Sequence, residues 1–248
     1  MAIRQIRQRE QKTGYFYVVT PNVDHIVQLE KSSDALLAEA YSGAGMVICD
    51  SRILSFLAKR VGLELEAVPG SDITRELLRT GRKGWHLAMI GGHPVLHEKL
   101  RKLYPNYEWT FHEPPMGILR NATARLAIAE FIENTKADMV FFAIGAPQSE
   151  VICREISMRG RASGVALCIG ASLEFLTGAK RRAPGWMQRI GLEWLYRLSS
   201  EPSRLWRRYL LEGPKIFGIW WRWKTITQKK INASRHLGAS GSRPSDGK

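Results

Sequence analysis

The sequence predicts an α/β protein, a Rossmann-like and mostly parallel sheet flanked by helices, with a basic helical appendage at the C-terminal end. Three observations lead there. Short β-rich runs alternate with helix-like segments through the first 179 residues, the order that lays strands in parallel with crossover helices between them. The runs end in loops rich in Gly, Pro, Asn and Asp, the residues that punctuate such units. The charge then breaks: Lys180 to Lys248 hold 16 Lys/Arg against 4 Asp/Glu, so this stretch carries +12 of the net +14, and six of the eight Trp lie in it.

The 248 residues, 44% of them hydrophobic, suffice for one substantial core with an appendage. Residues 1–179 form the expected α/β body, 180–231 the Trp-rich helical appendage and 232–248 a Ser/Gly/Arg-rich disordered tail. The opening MAIRQIRQRE is positively charged but leads into no apolar run, so neither a signal peptide nor an N-terminal anchor is indicated. No stretch approaches the roughly 18 to 20 apolar residues of a spanning helix. A cytoplasmic protein follows, lying on a membrane face if it meets a membrane. Cys49, Cys153 and Cys168 sit in apolar runs, which suits buried thiols rather than disulfides or a zinc site.

Taken in order, the strand-like runs are 15–19, 45–49, 86–90, 107–111, 139–143 and 165–169. Helical patterns fall at 33–41, 52–60, 72–79, 94–103, 123–134 and 150–158. Ligands in such folds sit where strands end, so the loops that follow them are the places to search. After the first run comes Thr20-Pro21-Asn22-Val23-Asp24-His25; a plain turn needs only Pro and Asn, and the added Thr, Asp and His point to a site. The second run ends at Asp50, with Ser51 and Arg52 next. A carboxylate there stands half-buried beside the crevice, where desolvation raises its pKa and makes it a competent base. Asp50 is also spaced to cap the helix beginning near Arg52, and spacing by itself favours that role.

The third run leads into Gly91-Gly92-His93-Pro94, paired glycines that let backbone amides approach a phosphate before a helix N-terminus. This is neither a GxGxxG fingerprint nor a Walker loop, so neither a dinucleotide nor ATP is implied. His93 and His97 are four apart with Pro94 between them and no third ligand, and are read as surface or packing residues. The fifth and sixth runs end in Gly145-Ala146-Pro147-Gln148-Ser149-Glu150 and Gly170-Ala171-Ser172, turns with polar tips in which Ser172 is a natural N-cap.

Beyond Lys180, 183–198 is helix-like after Pro184, and a second helix runs from Pro202 to about 211, where Gly213-Pro214 ends it. Arg204, Arg207 and Arg208 share one face of that helix, a guanidinium cluster suited to a diphosphate. A tail so basic and aromatic fits nucleic acid, an anionic membrane, or a solvated face whose Trp pack on the body. The stretch PKIFGIWWRWK favours the membrane, because Trp belongs at the headgroup boundary. A partner subunit covering the apolar side is another way to keep such a tail soluble.

From about residue 15 to 209 the chain resembles the WecG/TagA/CpsF family of bacterial glycosyltransferases, glycosyltransferase family 26. The motifs that carry the likeness come in order: TPNVDH, the strand-ending Cys49-Asp50, VPGSD, Gly91-Gly92, GAPQSE, GASLEFLTG and KRRAPGWMQRIGLEWLYRLSSEPSRLWRRY. The resemblance implies a membrane-peripheral, inverting enzyme of exopolysaccharide and cell-envelope synthesis. It would transfer N-acetylmannosamine, its uronate or glucose from a UDP-sugar to a polyprenyl-diphosphate-linked saccharide at the inner face of the plasma membrane. By the same carry-over Asp50 is the base, Thr20 and Asn22 position the sugar nucleotide, and Arg197, Arg204 and Arg207 close over the diphosphates. Asp24, His25, Arg52, Gly91, Gly92 and Gln148 complete the expected substrate-binding set. No Asp-x-Asp occurs in the chain, so arginines rather than a metal are expected to neutralise the leaving group, and no cofactor is expected. Two positions depart from the family pattern. Ser51-Arg52 follows the Asp where Gly is common, and Gln148 and Ser149 hold the Lys and Gln places of the Gly-x-Pro loop, leaving the Gln role to one or the other. The competing class is a non-catalytic basic α/β module for membrane or nucleic acid; it does not explain polar side chains gathered at several strand ends, and no nucleic-acid partner is expected.

Overall fold

The structure, a computed structural model, describes residues 2–10, 14–32 and 35–226. The expected tail at 232–248 and the last residues of the appendage lie outside the described residues. Six strands, β1 Tyr15–Val19, β2 Met46–Val47, β3 His86–Ile90, β4 Glu108–His112, β5 Met139–Phe142 and β6 Gly164–Cys168, form one sheet in the order β2-β1-β6-β5-β3-β4. Every pairing is parallel. A parallel sheet is covered on both faces, and β5 and β6 are accordingly buried at every residue.

Side-chain alternation divides the core in two. Leu87, Met89, Phe141 and Leu167 point to one face, against Ile6 of helix α1 (Ala2–Glu10), Ile73 and Leu77 of α5 (Gly70–Thr80), and Leu96 and Leu100 of α6 (Pro94–Leu103). Tyr17, Ala88, Phe142 and Ala166 point to the other, against Ile128 and Ile132 of α7 (Ala122–Thr135) and Ile152 and Ile156 of α8 (Gln148–Arg159). All three cysteines are free and buried.

The remaining helices are α2 (Val23–Lys31), α3 (Ala35–Ser42), α4 (Arg52–Lys59), α9 (Ser172–Leu176), α10 (Gly185–Arg189), α11 (Glu193–Ser200) and α12 (Pro202–Trp206). The last runs on as a π-helical turn, Arg207–Glu212, and after 213–214 a further helix, α13, occupies 215–226. The segment expected as one helix at 183–198 is therefore two. Gly191, at φ +79°, takes the left-handed conformation that interrupts it. Helices α1 and α2 are additions to the expected set, and α1 earns its place through Ile6, which is fully buried against the sheet.

The edge strand β2 is only two residues long, yet the chain stays beside β1 after it. Ile48 N donates to Val19 O at 3.0 Å and Asp50 N to Pro21 O at 2.9 Å, which carries Asp50 to the carboxyl end of the sheet. At that end the neighbours β1 and β6 part. The chain leaves β1 toward α3, which packs on α8, and leaves β6 toward α9, which packs on α5 on the opposite face. Such a reversal opens a crevice between the two strand ends. The C-terminal helices cover it. Ile216 of α13 is buried against Val27 and Leu57, Trp220 Nε1 donates to Leu57 O at 2.8 Å, and Arg222 pairs with Glu30.

Candidate active site

The crevice is a cleft of about 780 Å³, within the range of small-molecule sites. Its floor begins with Thr20, whose Oγ1 donates to Cys168 O at 2.7 Å and so ties the ends of β1 and β6 together. Asn22 caps α2: its Oδ1 accepts from Asp24 N at 3.0 Å, and its own N–H donates to His25 Nδ1 at 3.0 Å, a reciprocal capping box. His25 is thereby committed to structure. Burial, with the Arg208 guanidinium nearby, lowers its pKa to about 4 and keeps the ring neutral. Asp24 is the anchor of the C-terminal helices, accepting from Gln28 Nε2 at 2.6 Å and pairing with Arg208 at 3.1 Å.

Asp50 does not cap α4. Ser51 does, its Oγ accepting from Leu54 N at 3.2 Å, because the helix starts one residue later than a cap at Asp50 requires. The carboxylate is left facing the cleft. Burial pushes its pKa up to about 7; a hydrogen bond from the Gly70 backbone and the charges of Arg197 and Arg182 act against the rise, and Glu193 adds to it. Gly70 stands where a Cβ would come within 3.4 Å of Thr20 Oγ1, 3.5 Å of Asp50 Oδ2 and 3.6 Å of Ser172 Oγ, so three oxygens surround one point at the start of α5. Ser172 is not the N-cap of α9; Ala171 occupies that position, and Ser172 Oγ donates back to Ile169 O at 2.6 Å.

Of the residues expected from sequence, Thr20, Asn22, Asp24, His25, Asp50, Arg52, Arg197 and Arg204 line this cleft. Gly91, Gly92 and Gln148 do not. Gly91 and Gly92, both at positive φ, turn the chain after β3, and His97 packs beneath them with Nε2 3.0 Å from Gly91 O and its ring stacked on Phe111. His93 caps α6. Arg207 lines a lateral groove of about 430 Å³ together with Lys31 and Glu212; Arg204 and Arg208 line both spaces.

Three features of the cleft and its surroundings, Arg182, Glu193 and Glu150, went unread in the sequence, and Arg208 was legible only as part of a basic helix face. Arg182 clamps the start of the C-terminal segment to α5, with NH1 2.6 Å from Asp72 Oδ1 and NH2 3.4 Å from Oδ2. Glu193 begins α11 and faces the cleft. Arg208 enters the cleft, and Glu150 sits in its wall, almost fully buried, its pKa raised to about 7 by burial. The signal for Glu150 was present as an acidic residue in the first turn after a Gly-Pro loop, a pattern shared with any helix start. Among the described residues, no group of three or more His, Cys, Asp or Glu is placed to hold a metal ion, and no helix is long and apolar enough to cross a membrane.

The arrangement offers a buried carboxyl group that titrates near neutrality, a helix N-terminus beside it, and arginines across the opening. That combination suits removal of a hydroxyl proton next to an anionic leaving group. A family comparison agrees in kind: the model for the glycosyl transferase WecG/TagA/CpsF family matches residues 1–230.

Proposed function

The chain belongs to the WecG/TagA/CpsF family, glycosyltransferases of cell-surface polysaccharide synthesis, and we propose that it moves a sugar from a UDP-sugar to a polyprenyl-diphosphate-linked saccharide. Asp50 carries the reading. It takes the proton of the acceptor hydroxyl as that oxygen attacks the anomeric carbon. The bond to the diphosphate breaks on the opposite side, UDP departs with the electron pair, and the anomeric configuration inverts. A base with a pKa near 7 is matched to this work at neutral pH. Thr20 and the amide end of α5 frame the reacting centre, and Arg197 and Arg204 neutralise the developing diphosphate charge in place of a divalent cation.

The donor sugar is N-acetylmannosamine, its uronate or glucose. Arg52, exposed at the cleft wall, supplies a cation for a uronate. Arg52→Ala should then cost more with a uronate donor than with a neutral one, and equal loss on all donors discards that role. Residues 180–231 serve as the membrane element at the cytoplasmic face, bringing the lipid-linked acceptor to the cleft. Supporting this are the exposed Trp221, Trp223, Phe217 and Ile226 among basic residues.

The deciding experiment is UDP release from a panel of UDP-sugars with a short-chain polyprenyl-diphosphate saccharide as acceptor, in EDTA, for the native chain and Asp50→Asn. Turnover that survives EDTA and collapses in the variant, with UDP binding retained, is the expected outcome. Turnover of Asp50→Asn within a few-fold of native would remove Asp50 as the base.

A further inference from the structure

The cleft holds a second carboxyl group that the reaction above does not use. Glu150 lies in the first turn of α8, lines the cleft, and is only 2% exposed. One of its oxygens, Oε2, is buried and has no hydrogen-bond partner among the described residues. Among the described residues, the one contact that stabilises the charged carboxylate is its own backbone N–H, which leaves burial to dominate its pKa. An acid placed merely to complement a helix N-terminus sits at the surface, where water completes its bonds. A buried acceptor left open is costly, and a bound molecule bringing donors removes that cost.

We propose that Glu150 binds the donor nucleotide by accepting hydrogen bonds from its ribose hydroxyls, an inference that rests on the reading of the cleft as a nucleotide-sugar site. The chemistry narrows the partner first. Phosphate oxygens are repelled by a carboxylate and have their cations elsewhere, at Arg197, Arg204, Arg208 and Lys180. A metal ion would need further ligands, and no cluster of three among the described residues provides them. Neutral O–H donors remain, and a vicinal diol matches the two oxygens of one carboxylate.

Position then distinguishes the ribose from the transferred sugar. Asp50 follows β2 and Glu150 follows β5, with β1 and β6 between those strands. Asp50 also stands against the start of α5, whereas Glu150 interacts with Tyr41 of α3 and Cys168, toward the opposite face of the sheet. If the reacting carbon lies at Asp50, what reaches Glu150 is the far end of the donor. That end is the nucleoside.

The test is calorimetric binding of UDP and of 2′,3′-dideoxy-UDP to the full chain, without acceptor or membrane. The native protein should bind UDP about 10- to 100-fold more tightly than the dideoxy nucleotide, the range of a hydrogen bond to a charged group. Glu150→Ala should weaken UDP by a similar factor and bind the two nucleotides alike. Glu150→Gln preserves the side-chain volume and should also lose most of the preference, which covers the case in which the Ala variant does not fold. A variant that keeps the native preference, or a native chain that has none, overturns the inference while leaving the transferase reading intact. A native chain that binds no UDP at all overturns both.

Discussion

Five of the six carboxylates of the cleft come from the sheet ends and the helices that follow them, at Asp24, Asp50, Asp72, Glu150 and Glu174, with Glu193 of α11 the sixth, while four of its five Lys and Arg residues come from the C-terminal segment, at Lys180, Arg197, Arg204 and Arg208. The two groups are held differently. Asp50 and Glu150 are buried and fixed by the backbone around them. Arg204 has a side chain 55% exposed and paired with Glu201, and Arg197 rests over the Phe175 ring. The body thus presents a preorganised acidic floor, and the C-terminal segment a softer basic wall docked through Arg182–Asp72 and Arg208–Asp24. Proton transfer requires the first kind of construction. Capture and release of a long diphosphate-bearing substrate benefit from the second.

The sharpest way to separate the two is Asp50→Asn, which should lower turnover about 10²- to 10⁴-fold, the usual worth of a general base. In the native chain kcat/KM should rise with pH up to about 7 and then level, and the variant should lose that limb. Stability moves the other way. Between the unfolded value of 3.8 and about 7 the folded state binds the extra proton, so stability falls as pH rises through that window and is constant above it. Asp50→Asn should therefore melt above the native chain at pH 8, by ~4 kcal/mol or about 8–16 °C, and level with it below pH 3.5. A variant that loses both activity and stability at pH 8 would mean that Asp50 serves the fold.

Next in size is the contrast within the basic wall. Arg197→Ala, which empties a cleft position, should cost about 10²-fold in kcat/KM, and Arg197→Lys should recover little because a point charge cannot reproduce a planar fork. Arg207→Ala, altering the lateral groove, should cost less than tenfold. Equal losses at the two positions would show that the wall rearranges on binding and that its resting geometry does not rank its arginines.

Gly70→Ala tests the floor by covering it. The added methyl meets Thr20, Asp50 and Ser172 at ordinary contact distances, so the fold accepts it, and Ala in a helix gains up to about 1 kcal/mol over Gly. Activity should nonetheless fall about tenfold, since the methyl occupies the point on which the three oxygens converge. Unchanged kcat/KM would place the reacting centre away from the start of α5.

The same division governs what the sequence could disclose. The inner strands of the body are largely buried, β5 and β6 at every residue, and the hydrophobic pattern of the strand runs located β1 and β3 to the residue and the other strands to within a few. The Arg204, Arg207, Arg208 face was legible as spacing, but an α-helical repeat does not foresee the π-turn that starts at Arg207, nor that Arg208 turns into the cleft toward Asp24. The role of Asp50 hung on a one-residue choice between two cap-forming side chains, which Ser51 settled through its bond to Leu54. Glu150 and Arg182 depend on contacts with residues far along the chain, and no local pattern encodes those.

The smallest effect concerns the outer side of the C-terminal helices. Ile216, Ile219 and Trp220 of α13 face the body, and the Trp220 indole is tied to α4. Trp221 and Trp223 are 65% and 51% exposed, so each leaves roughly half an indole for a membrane surface, about 1 kcal/mol and a five- to tenfold change in partitioning. Trp221→Ala with Trp223→Ala should reduce co-sedimentation with anionic vesicles by that factor per residue and leave the melting temperature where it was. Trp220→Ala should do the reverse, lowering the melting temperature through the lost packing and the lost bond to Leu57, with a smaller change in vesicle binding. If Trp220→Ala releases the protein from vesicles as fully as the exposed pair, the docked arrangement of α13 is itself what the membrane recognises, and the basic wall and the membrane face act as one unit.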